Sequence, residues 1–167
     1  MNYFLINLCK TFPFIFQLLN FLRDVIILIQ IFIVILYFFS NRKFYYFIYL
    51  LILIFIGFEV IFLINSQFPT LRPLYFCLPD FVRFDSLPSR HTFSSFIITL
   101  VVLKNNLSLG IISSIFSLII SILSFFSLRH WLIDILFAFI LGFLIFFLGE
   151  KFLHFFNRFN INQRKNK

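Results

Sequence analysis

The sequence predicts an all-α polytopic membrane helical bundle, and three observations carry that reading. Of the 167 residues, 62% are apolar and only 12% charged, whereas soluble domains run about 45–50% apolar and about 25% charged. Mean hydropathy is +1.05. The apolar residues fall into runs separated by short polar gaps, and a run of about 20 is what a helix needs to cross about 30 Å of hydrocarbon. Disorder is excluded by the same composition, since 31 residues are Phe and disordered chains are poor in aromatics.

Taken in order, the first run, residues 3–19, is interrupted by Lys10 and Pro13. It reads either as a span or as an amphipathic helix in the interface, and no signal-peptide cleavage site follows it. Residues 20–39 form a clear span, with Arg23 and Asp24 near one end where they reach the interface. Asn41, Arg42 and Lys43 make a polar turn before a second span at 44–64, interrupted only by Gly57 and Glu59. Inside a span, Glu59 is expected to be hydrogen-bonded or protonated within the bundle. Residues 65–91 differ in kind, holding four of the five prolines, three arginines, two aspartates and a histidine. A short apolar run, 92–103, ends at Lys104, Asn105 and Asn106, and two further spans follow at 107–128 and 131–149. The expected organisation is an N-terminal helix or span (1–19), a helical core (20–149) with its loop at 65–91, and a basic tail (150–167). That gives five or six membrane helices.

The formal charge of +8 would point to nucleic acid only on a solvated basic face. Here the cations sit in the gaps and the tail, so they read as orientation signals. One side collects Arg42, Lys43, Lys104, Lys151, Arg158, Arg164, Lys165 and Lys167, eight in all, against five on the other, Arg23, Arg72, Arg83, Arg90 and Arg129. The positive-inside rule then puts the tail in the cytoplasm and the 65–91 loop and 128–130 turn together outside a plasma or inner membrane. Cys9 and Cys77 allow at most one bridge and have no metal-ligand spacing.

Ionisable residues near a bilayer are costly, roughly 2.5–3.5 kcal/mol at mid-helix, so the polar set on the outer side needs an explanation. It comprises Arg72, Asp80, Arg83, Asp85, Ser89, Arg90, His91, Arg129, His130 and Asp134. His130 and Asp134 stand at i,i+4, on one face of the last helix. A carboxylate on one ring nitrogen fixes the tautomer and frees the other nitrogen as nucleophile or base; the plainer alternative is that Asp134 caps the helix. Pro88-Ser89-Arg90-His91 opens the 92–103 helix, where free backbone N–H groups bind anions. Its plainer alternative is an N-cap by Ser89 or Thr92. Arg72-Pro73 follows the 44–64 span, and arginine presents a planar fork of donors to phosphate oxygens. Arg83, Asp80 and Asp85 read as loop solvation or local ion pairs. The two outer histidines bring no clustered carboxylates, so no metal is expected.

In this order and on this topology the set resembles the membrane branch of the type-2 phosphatidic acid phosphatase superfamily. That family carries Lys-x6-Arg-Pro, Pro-Ser-Gly-His and Ser-Arg-x5-His-x3-Asp. Arg72-Pro73 matches the end of the first motif, Pro88-Ser89-Arg90-His91 the second, and His130-x3-Asp134 the end of the third. The first-motif lysine falls at Asn65, the second-motif glycine at Arg90, and the third-motif Ser-Arg at Leu123 and Ser124. Two phosphate-binding cations of the family are therefore absent, with Arg90 and Arg129 the candidates to replace their charge.

The resemblance implies a phosphohistidine mechanism without metal or cofactor. His130 would attack phosphorus, oriented by Asp134, and His91 would protonate the leaving oxygen. Arg72, Ser89 and the backbone near Arg90 would hold the non-bridging oxygens, assisted by Arg90 or Arg129. The implied partners are membrane lipids and a lipid phosphate or diphosphate, undecaprenyl diphosphate above all, and not nucleic acid. Capture of the phosphohistidine by an acceptor hydroxyl would make the chain a phosphotransferase. Decay of the site, for which Asn65 and Ser124 speak, would leave a lipid-phosphate-binding membrane protein.

Overall fold

The computed structural model describes residues 3–78 and 83–165, with side chains at 4–78 and 83–155. Asp80 and Lys167 lie outside the described residues, and the side chains of Arg158, Arg164 and Lys165 outside the described side chains. The helices are α1 (Tyr3–Thr11), α2 (Pro13–Ser40), α3 (Phe44–Gln67), α4 (Arg90–Asn105), α5 (Leu107–Phe126) and α6 (Leu132–Lys165), with one 3-10 turn at Pro73–Phe76. Four of them, α2, α3, α5 and α6 over Leu132–Phe155, are long and apolar enough to cross a membrane. The chain is thus an all-helical integral membrane protein, with four membrane-length helices among the described residues where the sequence led us to expect five or six spans.

Two elements account for the difference. The run at 3–19 does not cross as one unit, because the helix breaks at Phe12 and Pro13 starts a new one, as proline does at a first helical position. The nine residues of α1 reach about 13 Å at 1.5 Å each. Its buried residues Leu5, Ile6 and Cys9 pack on Phe16, Leu74, Cys77 and Leu128, in a second cluster separate from the main core. A Cys9–Cys77 disulfide ties α1 to the loop after the 3-10 turn.

The other short element, α4, has 16 residues and sits at the centre of the bundle, packed by α2, α3, α5 and α6. Phe93, Ile97, Val101 and Val102 are fully buried. Neighbours come close because Gly57 of α3 and Gly142 of α6 face it. A Cβ at Gly57 would lie 1.9 Å from the Phe93 ring, and one at Gly142 2.9 Å from Phe96. Protein, not lipid, surrounds α4, so it carries polar residues on a face that meets Gln30 of α2. The Gln30 amide donates to Ser113 Oγ at 2.8 Å and accepts from Ser95 Oγ at 2.6 Å. Thr99 and Ser113 hydroxyls share a further bond at 3.0 Å.

Two expectations along the spans need correction. Glu59 is exposed on α3 rather than held within the bundle, because the buried stripe of that helix runs through Leu50, Leu53, Gly57 and Ile61. Position 59 is two residues from Gly57, about 200° around a helix of 3.6 residues per turn. The helix of the last span does not end at 149, since α6 continues through the basic tail to Lys165.

The two ends of the bundle carry different polar groups. At one end the 41–43 and 104–106 turns meet, with the Tyr37 hydroxyl donating to Asn105 O at 3.2 Å and Lys43 donating to Tyr37 at 3.0 Å. Lys104 pairs with Glu150 there. At the other end the 65–91 loop meets the 128–130 turn, where Leu74 N donates to Leu128 O at 2.8 Å. Every histidine and arginine singled out in the sequence motifs is at that second end.

Candidate active site

The long loop is folded back on itself before it reaches α4. Arg72 N donates to Arg83 O at 3.2 Å and Ser86 N to Thr70 O at 3.2 Å. The Trp131 indole donates to Leu71 O at 2.8 Å, fixing the start of α6 against the loop. Between α5 and α6, Leu128 has φ 55°, a left-handed conformation that costs a residue with a side chain on the order of 1–3 kcal/mol. The bond from Leu74 N and the packing of Leu128 against α1 hold it there. This bent turn presents Arg129 and His130.

His130 is almost wholly buried, and its Nδ1 lies 2.7 Å from the carbonyl oxygen of Ser86. A carbonyl only accepts, so Nδ1 carries the proton and Nε2 keeps its lone pair. The expected orienting partner, Asp134, is 3.8 Å from Nδ1, too far for a hydrogen bond. Its Oδ2 instead accepts from Trp131 N at 2.7 Å and from the Ser86 hydroxyl. Asp134 thus caps α6 in the manner of a capping box, in which the third helical residue reaches back to the N-cap N–H. Ser86 links the two: its carbonyl holds the histidine and its hydroxyl holds the aspartate. Burial pushes the His130 imidazolium below its ordinary range, and the Asp134 and Ser86 oxygens oppose that only in part. A lowered value favours the neutral ring.

Asp85 gathers two of the motif arginines. Arg72 Nε donates to its Oδ1 at 2.9 Å and Arg90 Nη2 to its Oδ2 at 2.8 Å. Burial would raise the Asp85 carboxyl, but Arg72 and Arg90 outweigh it and hold it below the usual carboxylate range. Burial lowers both Arg72 and Arg129 from the ordinary guanidinium value, and for Arg129 the neighbouring Arg72, Arg23 and Arg83 add to the effect. The buried Arg129 Nε has no hydrogen-bond partner.

His91, the second residue of α4, meets a group that the motifs do not contain. Its Nε2 lies 3.3 Å from Asp24 Oδ1. The same oxygen accepts from Arg23 Nε at 3.0 Å and Nη2 at 2.7 Å. Arg23 is buried, whereas Asp24 is half-exposed.

Most of these groups, though not Asp85, Ser86 or Asp134, share one cavity of about 770 Å³. Its polar mouth is lined by Arg23, Asp24, Arg72, Arg83, Arg90, His91, Arg129 and His130. Below the mouth it runs between α2 and α3 along apolar residues that include Ile31, Ile35, Leu51 and Phe47. From Arg23 to Ile35 along α2 is about 18 Å at 1.5 Å per residue. Of the expected site residues, Arg72, Arg90, His91, Arg129 and His130 are on the wall. Ser89 and Asp134 lie behind it: Ser89 is buried and its hydroxyl accepts from Thr92 N at 3.5 Å, the capping geometry. Ser89 is thus the N-cap of α4. Asn65 lines a separate cavity of about 660 Å³ that shares Arg83 and Arg90. Ser124 is buried with its hydroxyl unpartnered, while its carbonyl accepts from His130 N at 3.3 Å.

Arg23, Asp24 and Ser86 escaped the sequence reading. An Arg-Asp pair at the end of a span reads as interfacial charge, and a loop serine carries no signal. Among the described residues no three His, Cys, Asp or Glu side chains converge as a metal site. The fold and site define a helical membrane protein with an arginine-rich, histidine-bearing cavity. Comparison with family models, curated proteins and solved structures finds no match for the chain.

Proposed function

We propose that the protein is a lipid phosphatase, hydrolysing a lipid-linked phosphate or diphosphate through a phosphohistidine, with undecaprenyl diphosphate as the favoured substrate. The observation that carries this is the shape and chemistry of the cavity: five arginines and two histidines at its mouth, and an apolar groove below them. A polyanionic headgroup on a long hydrocarbon chain has the same division.

In the first step the neutral His130 Nε2 attacks phosphorus, forming an N–P bond as the P–O bond to the leaving group breaks. His91 gives its proton to the leaving oxygen. In the second step water attacks phosphorus, the N–P bond breaks, and His91 takes the proton of the water. Charge grows on the non-bridging oxygens in both steps, and fixed guanidinium donors stabilise it most where water is scarce. Arg72, Arg90 and Arg129 fill that role, with Arg90 and Arg129 standing for the cations that Asn65 and Ser124 do not supply. Asp134 acts on His130 through Ser86.

On this reading α4 is a fifth, short crossing enclosed by the other four helices. The site end faces the outside, as the lysine and arginine distribution argues. The Cys9–Cys77 disulfide at the same end agrees, since disulfides persist in oxidising compartments.

The test is phosphate release from undecaprenyl diphosphate by purified protein in detergent with EDTA, beside His130→Ala. Release by wild type and none by the variant is the expected result. Equal release by both would sink the phosphohistidine. Headgroup binding by both proteins without turnover, across undecaprenyl diphosphate, phosphatidic acid and phosphatidylglycerophosphate, would make the chain a lipid-phosphate-binding protein.

A further inference from the structure

We propose that α2 supplies the acid half of the site: Asp24, clamped by Arg23, orients His91 and holds the proton that His91 gives to the leaving oxygen. The proposal rests on the phosphatase reading above and adds a positioning residue to it.

Burial bears most heavily on His91 and disfavours its protonated form; Arg23 from α2, His130 from the turn before α6 and Arg72 from the long loop add to that, and Asp24 opposes it. Arg90 is its chain neighbour, and Arg129 and Arg83 line the same cavity. Each arginine disfavours a protonated imidazole. A leaving-group acid must be protonated when substrate arrives, so this ring needs a counter-charge. Three described carboxylates stand at this end of the bundle. Asp85 is taken by Arg72 and Arg90. Asp134 is taken by Ser86 and Trp131 N behind the cavity wall. Only Asp24 contacts His91, at 3.3 Å.

Arg23 explains why a half-exposed aspartate can do this. Its guanidinium is buried and donates twice to the oxygen that faces His91, so that oxygen is fixed. With Nε2 turned to Asp24, Nδ1 is the ring nitrogen left for the leaving oxygen. Arg23 and Asp24 are adjacent in sequence, so one helix sets both the clamp and the counter-charge.

The pair predicts shifts of opposite sign. Asp24→Asn removes the one described carboxylate in contact with His91, so His91 loses its proton at lower pH. Arg23→Gln removes a nearby cation and leaves the carboxylate undivided, so His91 keeps its proton to higher pH. The chain has three histidines, which makes selective ¹⁵N-histidine labelling readable in detergent, with His91→Ala assigning the resonance. The expected shift is about one pH unit or more downward for Asp24→Asn and upward for Arg23→Gln. The basic limb of kcat/KM for undecaprenyl diphosphate should move in the same directions, and Asp24→Asn should cost nothing further in a His91→Ala background.

A merely structural role would scale the whole pH profile without moving its limbs. An unmoved His91 titration beside normal wild-type release would overturn the Asp24 assignment alone. Should Asp24→Asn fail to accumulate, Arg23→Gln decides by itself, since a downward or absent shift overturns the proposal. No release from wild type on any lipid phosphate would sink the phosphatase reading, and the catalytic meaning of the pair with it.

Discussion

Two polar clusters sit on the same central helix, and they are built differently. About two turns into α4, Ser95 and Thr99 meet Gln30 and Ser113, and the hydroxyls and amide bond one another. At the head of α4, His91 stands beside Asp24, and the groups around it are mostly charged. There the polar atoms are not used up: Arg129 Nε and Thr92 Oγ1 are buried without partners, and the arginines face a cavity instead of each other. A polar cluster that closes on itself holds helices together, whereas one left open with surplus donors is arranged for something that arrives. Depth separates them as well, because donors at the mouth can be reached from the headgroup layer.

His130 carries the largest expected effect. His130→Ala should abolish release, a loss on the order of 10⁴-fold or more for a nucleophile, while the purified protein stays helical by circular dichroism. A variant that unfolds would instead place His130 with the closed cluster. Asp134→Asn is next, with an expected loss of about 10²-fold. It also carries a pH signature. Attack requires neutral His130, and burial has already pushed its pKa down, so the acid limb of kcat/KM should lie below the ordinary histidine value of about 6.5. The Asp134 charge opposes that shift, so Asp134→Asn should move the limb to still lower pH. Movement upward would mean that Asp134 does not act on His130.

Much of this contrast was legible in the sequence, though unevenly. Hydropathy located α2, α3, α5 and α6 because lipid-facing helices must be apolar along their length. It misjudged Glu59, whose side depends on which face of α3 packs inward, and a uniformly apolar helix gives no periodic signal for that. The 92–103 run was found but not its centrality, since a helix wrapped in protein needs less hydrophobicity than one in lipid. The site divides the same way. His91, His130 and the motif arginines were visible because they are spaced along contiguous chain. Arg23 and Asp24 are more than 60 residues from His91, and only the packing of α2 on α4 brings them together. Ser86 acts through its carbonyl, which every residue has. The i,i+4 spacing of His130 and Asp134 suggested one helix face, yet His130 stands in the turn before α6, and the helix start takes the carboxylate instead of the ring.

Arg129 tests whether the surplus donors matter. If it replaces the cation missing at Ser124, Arg129→Ala should cut kcat/KM by about tenfold or more, and Arg129→Lys should recover part of the loss. Near-wild-type turnover in Arg129→Ala would show that this guanidinium only lines the mouth.

The smallest effect is expected in the closed cluster, and it should fall on stability alone. Gln30→Leu removes the amide that bridges α2 to α4 and α5. The hydroxyls it leaves behind are on helices, where serine and threonine can turn back to the carbonyl four residues earlier. The cost is therefore held to about 1 kcal/mol, in line with interhelical hydrogen bonds measured within membranes. It should appear as a small drop in the detergent melting temperature, with turnover per folded molecule unchanged. Gln30→Glu should cost more, because a charge in that closed space finds acceptors as well as donors around it. If Gln30→Leu altered kcat/KM while stability held, the two clusters would be coupled through α4, and the seam would be part of the site.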